Sequence, residues 1–417
     1  MTENEGMLPP PPPPNLPPET ILETPGSSRR PAAYIAVVVG LLAMVGGAVF
    51  FARSLGTAEG GADTPVAAVQ RMFDAIADED ALGVLETMLP SERDQLRGSL
   101  QDITKELSRL GILSNDLDLG SIPGIELDFT GLTFSSQQIA SGISTVRLET
   151  GTSTYKVDPA RSPIGEFLRP LLDDGASEVV QGTDDLSDDD VAFTTVEEGD
   201  KWFVSLWYSI AEAARQEVGA PVPPFGNGIA ARGAPTPEQA VEEMIRAAVL
   251  LDVRRMIELT PPIEARALHD YAPLFIDQAV AGAREARKLY EVEVSKLNLT
   301  GRVSGNTALV KVGEIEFTAA IPAMGVSVEY DGECVTVRGD FFGSDEPQRQ
   351  CGAGFAPATG LPVVPTPEIG FVAVREGGLW YVSPTRTVLD GLLGTLKVLD
   401  RNALEMFKKV FGGLSGG

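Results

Sequence analysis

The sequence predicts an α+β protein of two tandem modules, each with helices packed on a curved antiparallel sheet, behind one N-terminal transmembrane helix. Three observations predict this architecture. A stretch of residues recurs, without gaps, 172 positions further along the 417-residue chain. Each copy is followed by segments in which apolar and polar residues alternate, as in half-buried strands. One uncharged segment, long enough to cross a bilayer, precedes both copies.

The repeated stretch covers residues 64–96 and 236–268. Eleven aligned positions are identical: Thr64/Thr236, Pro65/Pro237, Ala68/Ala240, Val69/Val241, Met72/Met244, Ala75/Ala247, Asp80/Asp252, Glu86/Glu258, Pro90/Pro262, Glu92/Glu264 and Leu96/Leu268. An identity of one third without a gap indicates an internal duplication. We therefore interpret residues 54–217 as a first α+β module and residues 236–411 as a second.

Helix-start signals fall on the repeated positions. Thr64, Asp80 and Pro90 are predicted to start three successive helices, and the second copy repeats these residues 172 positions later. Thr and Asp are favoured N-caps, and proline is favoured at the first helical position. Capping and solvated helix faces explain the duplicated acids without an active site.

Alternating segments predict strands in both modules. They are residues 125–129, 145–149 and 191–196 in the first module, and 290–294, 308–312 and 314–317 in the second. Each sheet is predicted to close on a Trp-containing strand, at 200–205 and 378–383. A helix follows each of these strands, and the second is predicted from Val388 to about Phe411.

This arrangement resembles the nuclear-transport-factor-2-like (cystatin-like α+β) superfamily. The resemblance is carried by the Thr-Pro-x-x-Ala-Val-x-x-Met helix starts, the turns at Asp80 and Asp252, and the strands of Trp202 and Trp380. It covers most of 64–210 and 236–400. It implies a cone of helices that closes a curved sheet around a pocket. Because such a fold hosts enzymes, binding proteins and scaffolds, the resemblance implies no particular function.

The N-terminal residues predict how the chain meets a membrane. Residues 1–31 contain the unbroken run Pro9 to Pro14, and the tract from Pro9 to Pro18 is read as a disordered tail that is either a docking strip or a spacer. Ala32 to Ala52 are uncharged and would span about 31 Å as a helix. A cleaved signal peptide is the rival reading, but a long Pro-rich segment precedes this run. We therefore expect an uncleaved anchor.

Basic residues orient this anchor. Arg29 and Arg30 precede the apolar run and only Arg53 follows it, which favours a cytoplasmic N-terminus. Both modules are then expected outside the cytoplasm, in a single-pass cell-membrane protein.

Charge excludes one class of partner. The chain has 33 basic and 59 acidic residues, a net charge of −26, which disfavours nucleic-acid binding. Residues 1–53 hold three of the basic and four of the acidic residues, so 30 basic and 55 acidic residues leave −25 for the exterior part. A Pro/Gly linker is predicted at 218–235, an insertion at about 340–369 and a flexible C-terminus at 412–417.

Few residues suggest chemistry. His269 is the sole histidine and, with Asp270, forms a weak catalytic candidate. The first copy has Arg97 at the position aligned with His269, which argues against a duplicated active site. A single His and two Cys cannot complete the usual zinc sites, so no metal and no cofactor are expected. The acidic run 184–190 lacks the EF-hand spacing and is interpreted as a solvated loop. Cys334 and Cys351 are predicted to form a disulfide, with a redox pair as the alternative.

These observations favour a non-enzymatic, membrane-anchored binding or scaffold protein of the bacterial cell envelope. It would be an accessory subunit of a larger assembly, and its modules would bind an envelope protein or an apolar ligand. Two alternatives stay open. One is an enzyme with an acid/base residue in a pocket of the same fold, and the other is a signalling or anchoring protein that uses the cytoplasmic Pro-rich tail.

Overall fold

The computed structural model describes residues 61–115, 117, 120, 122–167, 169, 179–187, 191–321, 326–330, 334–339, 346–351, 370–401 and 404, without the side chains of residues 350 and 351. The predicted Pro-rich tail, the predicted transmembrane helix at 32–52, most of the insertion and residues 405–417 lie outside these ranges. Within them, no helix has both the length and the apolar character needed to cross a membrane.

The described residues form a mixed α+β structure with two antiparallel sheets. The elements of the first module are α1 Pro65–Ala77, α2 Ala81–Thr87, α3 Pro90–Arg109, β1 Ile125–Ala140, β2 Ile143–Val157, β3 Val180–Asp185, β4 Ala192–Glu198, β5 Lys201–Ser205 and α4 Leu206–Glu217.

The second module repeats this order with more strands. Its elements are α5 Pro237–Val249, α6 Val253–Glu258, α7 Arg266–Tyr271, a 3₁₀ turn Ala272–Leu274, α8 Ile276–Ala286, β6 Glu291–Ser304, β7 Thr307–Ile321, β8 Val326–Tyr330, β9 Cys334–Arg338, β10 Gln348–Cys351, β11 Gly370–Glu376, β12 Leu379–Val382 and α9 Pro384–Val398.

The predicted helix caps are confirmed. The Thr64 hydroxyl accepts a hydrogen bond from the amide of Ala67 at 3.1 Å, and the Thr236 hydroxyl accepts one from Gln239 at 3.2 Å. The Asp80 carboxylate likewise caps α2, as Asp252 caps α6. These duplicated residues therefore satisfy amide donors that the first turn of a helix leaves free.

Each sheet is built around one long hairpin. In the first module, β1 pairs with β2, and β2 pairs on its other side with β4 near its start and with β3 near its end. In the second, β6 pairs with β7, and β7 pairs with β11 and β8 at the corresponding places. The strands of Trp202 and Trp380 close the two sheets, as predicted.

Several predicted elements were wrong in their limits. Residues 308–312 and 314–317 belong to one strand, β7, because Gly313 forms a bulge where the β6–β7 register shifts. No helix starts at Pro262, since the adjacent Pro261–Ala265 segment forms a turn and α7 begins at Arg266. The last helix begins at Pro384, not Val388, because the Ser383 side chain caps it.

The second halves of the modules correspond at a different offset, 178 residues. Identical pairs at this offset are Phe193/Phe371, Val196/Val374, Glu198/Glu376, Gly199/Gly377, Trp202/Trp380, Val204/Val382 and Ser205/Ser383. The chain before each module pairs with the Trp strand in the same way. Trp202 exchanges two backbone hydrogen bonds with Ala62, and Trp380 exchanges two with Ala234, all at 2.8–2.9 Å.

In each module a buried glutamate, Glu92 in α3 and Glu264 just before α7, forms a hydrogen bond with the start of the last helix. Glu92 accepts hydrogen bonds from the Ser205 hydroxyl and from the amide of Leu206 at the start of α4. Glu264 accepts one from the amide of Thr385 at the start of α9, at 3.1 Å. In both modules this acid accepts a hydrogen bond from an amide that the first turn of a helix leaves free, which explains why it is duplicated.

Side chains fill the space between α1 and the first sheet. The Phe73 ring lies 5.1 Å from Phe129, 5.6 Å from Phe134 and 5.9 Å from Phe193, centroid to centroid. Buried Val69 and the residues around it complete this core. The corresponding core of the second module is formed by small and β-branched residues under Trp380. The resemblance implied an enclosed pocket, but in the first module aromatic packing occupies the middle of the cone.

The two modules share a core. The Tyr208 hydroxyl of α4 donates a hydrogen bond to Asp270, and the Tyr271 hydroxyl donates one to Glu212 of α4 at 2.8 Å. The ring of Phe225 packs edge-on against Tyr271 and tilted against Tyr208. Each module thus supplies a tyrosine to a carboxylate of the other.

A second contact joins α3 and α9. The apolar side chains Ile103 and Leu110 pack with Leu393 and Leu396. The guanidinium of Arg109 donates to the carbonyl oxygens of Leu396 and Leu399, at 2.8 and 3.0 Å, at the C-terminal end of α9. A cation at this end satisfies free carbonyl groups and complements the helix dipole.

Candidate functional site

A cleft opens at one end of the first module, where α1 ends over the sheet. Its volume is about 560 Å³. It is lined by Ala77, Glu79, Glu126, Leu127, Asp128, Thr154, Tyr155, Lys156, Gln181, Gly182 and Thr183. The resemblance implied an enclosed pocket, whereas this cleft is open and lies beside the end of α1.

Sheet register builds the floor of the cleft. Leu127, Tyr155 and Gly182 lie directly opposite one another on β1, β2 and β3. A Cβ atom at position 182 would collide with the phenol of Tyr155, so glycine lets this ring lie flat across the strand. The floor is therefore an apolar and aromatic surface, and the exposed residues next to these three along their strands point to the opposite face of the sheet.

The strand neighbours of the floor residues form two polar rows, one with opposite charges and one with a single acid, Asp128, and two threonines. Lys156 donates to both carboxylate oxygens of Glu126, at 2.9 and 3.0 Å, and Arg161 lies 3.8 Å from the same carboxylate. Asp128, Thr154 and Thr183 form the opposite row. Three carboxylates and one lysine line the cleft, which gives it a net negative charge.

Glu79 forms the helix-side wall. Its backbone has a φ of +56°, which places it in the left-handed region at the end of α1. Burial raises the pKa of the Glu79 carboxyl above its ordinary value, and the nearby Glu126 raises it further. No hydrogen bond to this carboxyl occurs among the described residues. Glu79 is therefore a carboxyl with a raised pKa that lines the cleft and has no hydrogen-bond partner among the described residues.

The second module lacks three of these groups. Leu251 replaces Glu79 and keeps the left-handed backbone, with φ of +49°. Ala319 and Val328, which pair across β7 and β8, replace Tyr155 and Gly182. The duplication has thus kept the fold and two of the acids at this point, as Glu291 and Glu293, and has aliphatic residues in place of Glu79, Tyr155 and Gly182.

The structure separates the two catalytic candidates predicted from sequence. The His269 ring is buried, and its Nδ1 is 2.7 Å from the carbonyl oxygen of Ile229, while its Nε2 is 3.2 Å from Thr260. Asp270 instead accepts the hydrogen bond from Tyr208 in the contact between modules. His269 therefore holds the segment predicted as a linker, 218–235, against α7.

The cysteines lie on adjacent strands. Cys334 of β9 and Cys351 of β10 are directly opposite each other in the antiparallel register. Cys334 is buried. Cross-strand neighbours are close enough for a disulfide, which stays a prediction.

The acidic run gives no sign of a cation site. Asp184 and Asp185 end β3. Hydrogen bonds from the Ser187 side chain and from the Ser187 amide, the latter at 2.9 Å, lower the pKa of Asp185. Residues 188–190 lie outside the described ranges. Within those ranges, no group of three or more His, Cys, Asp or Glu side chains is arranged to hold a metal ion.

Comparison with known proteins gives one distant likeness. No protein family matches the chain, and no curated protein matches it. A solved structure described as "Ntf2 like protein involved in plasmid conjugation" is similar over 78% of this chain and 89% of its own, at 9% identity and a TM-score of 0.15. A TM-score of this size does not establish a shared fold, whereas the helices and curled antiparallel sheets establish the α+β class.

Sequence reasoning missed the cleft. Its residues come from a helix end and three strands, and no spacing along the chain links them. One signal was available, because the duplication aligns Glu79 with Leu251. A charged residue in one copy opposite an apolar residue in the other marks a position where the modules differ in surface and not in fold.

Proposed function

We propose that this chain is a membrane-anchored, extracytoplasmic binding and scaffold protein of the bacterial cell envelope, with two nuclear-transport-factor-2-like modules, and an accessory subunit of a larger assembly. The uncharged segment Ala32 to Ala52 and the exterior charge of −25 support this location. The first module binds, and the second supports it.

The proposal rests on how the two modules differ at the place where the first has its cleft. Both modules keep the caps, the buried glutamates and the Trp strands that the fold needs. Only the first has a glutamate, a tyrosine and a glycine at three corresponding places, where the second has Leu251, Ala319 and Val328. If the first module binds a partner and the second only supports the first, we expect a polar, aromatic cleft in the first module alone.

A protein partner suits this cleft better than an apolar ligand. Its rims are open, since Glu126, Asp128, Gln181 and Thr183 are exposed. Its charge is net negative, and Tyr155 offers a ring of the kind enriched at interfaces. We therefore expect a basic or polar segment of an envelope protein to lie along the floor.

A photo-activated cross-linker at position 183 tests this proposal in cells that express the full chain. The matched control is position 329, because Thr183 and Glu329 occupy corresponding, exposed places on β3 and β8. We expect a discrete cross-linked envelope protein from position 183 and none from position 329. Equal cross-linking from both positions, or none from either, would contradict a binding role for the first module.

One observation favours an enzyme as the second candidate. Glu79 lines the cleft, has no partner among the described residues, and has a raised pKa because of burial and Glu126. A carboxyl of this kind can exchange protons near neutral pH better than an ordinary one. Turnover of an envelope-derived substrate that is lost in Glu79→Gln, with unchanged binding, would establish this candidate over the first.

A further inference from the structure

A second, smaller cavity lies on the opposite face of the first sheet, under α4. Its volume is about 360 Å³, and it is more enclosed than the cleft. It is lined by Thr145, Ala192, Thr194, Ser209, Glu212, Ala213, Gln216 and Glu217. None of these residues lines the cleft, so the two cavities are separate sites.

Two buried hydroxyl groups line this cavity without partners. Thr145 and Thr194 face each other across β2 and β4, and their exposures are 7% and 1%. Neither hydroxyl has a hydrogen-bond partner within the described part of the chain. A buried hydroxyl without a partner is unfavourable, and nearly all buried polar atoms in native proteins have one.

The other polar groups of the cavity are occupied. Glu212 accepts from Arg215 at 2.6 and 2.8 Å, from Gln216 and from Tyr271. Ser209 donates to the carbonyl of Ser205 and accepts from the amide of Thr194. The hydroxyls of Thr145 and Thr194 are therefore without partners within the described residues, while the other polar groups named here have theirs. The carboxylate of Glu217 also lines the cavity.

The second module shows that the fold does not need these hydroxyls. Thr387 corresponds to Ser209 and accepts the same hydrogen bond, from the amide of Val372 at 3.0 Å. Val372 corresponds to Thr194, and Leu309 corresponds to Thr145. Valine has the shape of threonine without its hydroxyl, so helix and sheet pack in this way with apolar residues alone.

We propose that this cavity is a binding site for a small neutral polyol, a glycerol- or sugar-type molecule. Each threonine hydroxyl both donates and accepts, and so does each hydroxyl of a polyol. The buried carboxylate of the cavity wall, Glu212, is already paired with Arg215, so no unpaired buried charge among the lining residues is there to hold a charged ligand. Anions are further disfavoured by Glu217. A volume of about 360 Å³ is at the lower end for small-molecule sites.

Saturation-transfer NMR on the full chain, with glycerol and glucose as probes and acetate as the charged comparison, tests the proposal. We expect a saturable signal from glucose or glycerol and none from acetate. The variant Thr145→Val/Thr194→Val should bind the probe at least tenfold more weakly, at an unchanged or higher melting temperature. The control variant Thr183→Val, in the cleft, should bind like the parent protein.

Two results would overturn the site. One is a polyol signal that the double variant retains, which would place the probe elsewhere. The other is the absence of a polyol signal from the parent protein together with a more stable double variant. That result would mean that the two hydroxyls bind only water. Because the cleft is separate, cross-linking at position 183 can succeed or fail independently of these results.

Discussion

At the scale of single residues, the duplicated acids hold the fold together. Sequence reasoning assigned them to caps and solvated faces, and the caps at Asp80 and Asp252 are confirmed. It could not foresee that Glu92 and Glu264 are buried, because their partners lie more than one hundred residues away. A long-range hydrogen bond to a helix start leaves no periodic signal in the sequence.

Glu92→Ala is expected to lower the free energy of unfolding by about 2–3 kcal/mol, because the hydroxyl of Ser205 and the first amides of α4 lose their buried acceptor. Denaturant unfolding of the full chain measures this change. Glu86→Ala is the matched control, since Glu86 is duplicated too but only half-buried. A loss of similar size in both variants would contradict the assigned role.

The same residue should make stability depend on pH. Burial raises the pKa of Glu92 in the folded state above its ordinary value. Its contribution is therefore fully present below about pH 4.5 and is lost as pH rises through the higher folded value. Glu92→Gln should remove this dependence, so the variant gains stability relative to the parent protein between pH 4 and 7. An unchanged difference across this range would argue against a raised pKa.

At the scale of elements, the sequence predicted order and type better than limits. Strand alternation and the Trp strands located the sheets, but Gly313 was read as a break because a bulge cannot be distinguished from a turn by composition. The start of α9 was missed at Ser383–Pro384, although a serine before a proline is a helix-start signal. Leucine spacing alone located only the part of α9 that packs on α3.

The tyrosine contacts between α4 and α7 should stabilise the joined modules. Tyr208→Phe leaves Asp270 without this donor, and Tyr271→Phe removes one donor from the buried carboxylate of Glu212. Each change is expected to lower the free energy of unfolding by about 1–2 kcal/mol. Tyr290→Phe, which breaks no hydrogen bond among the described residues, is the control. Equal stability of all three variants would show that these contacts contribute nothing.

The neighbouring strands β9 and β10 should be linked by Cys334–Cys351. Peptide mass analysis without reductant should recover the two cysteines in one linked fragment. Reduction should lower stability by up to about 3 kcal/mol, the chain-entropy value for a loop of this size. Recovery of two free thiols from a protein prepared under oxidising conditions would contradict the prediction.

At the scale of the whole molecule, the modules form one body. The segment interpreted as a linker places Phe225 and Ile229 in buried clusters, so composition rich in Pro and Gly did not mean a loose connection here. Sequence reasoning found the duplication but not the shared core, because the residues that build it, such as Tyr208 and Tyr271, have no counterparts in the alignment. The cleft and the polyol cavity both belong to the first module.

We predict that this joined pair of modules lies outside the membrane with its cleft accessible. Labelling of spheroplasts with a membrane-impermeant maleimide tests it most directly, in single variants Thr183→Cys, Glu329→Cys and Thr20→Cys of the full chain. We predict that positions 183 and 329 are labelled at once and that position 20 is labelled only after the membrane is opened. Labelling of position 20 alone in closed spheroplasts, or of no position until lysis, would contradict the account.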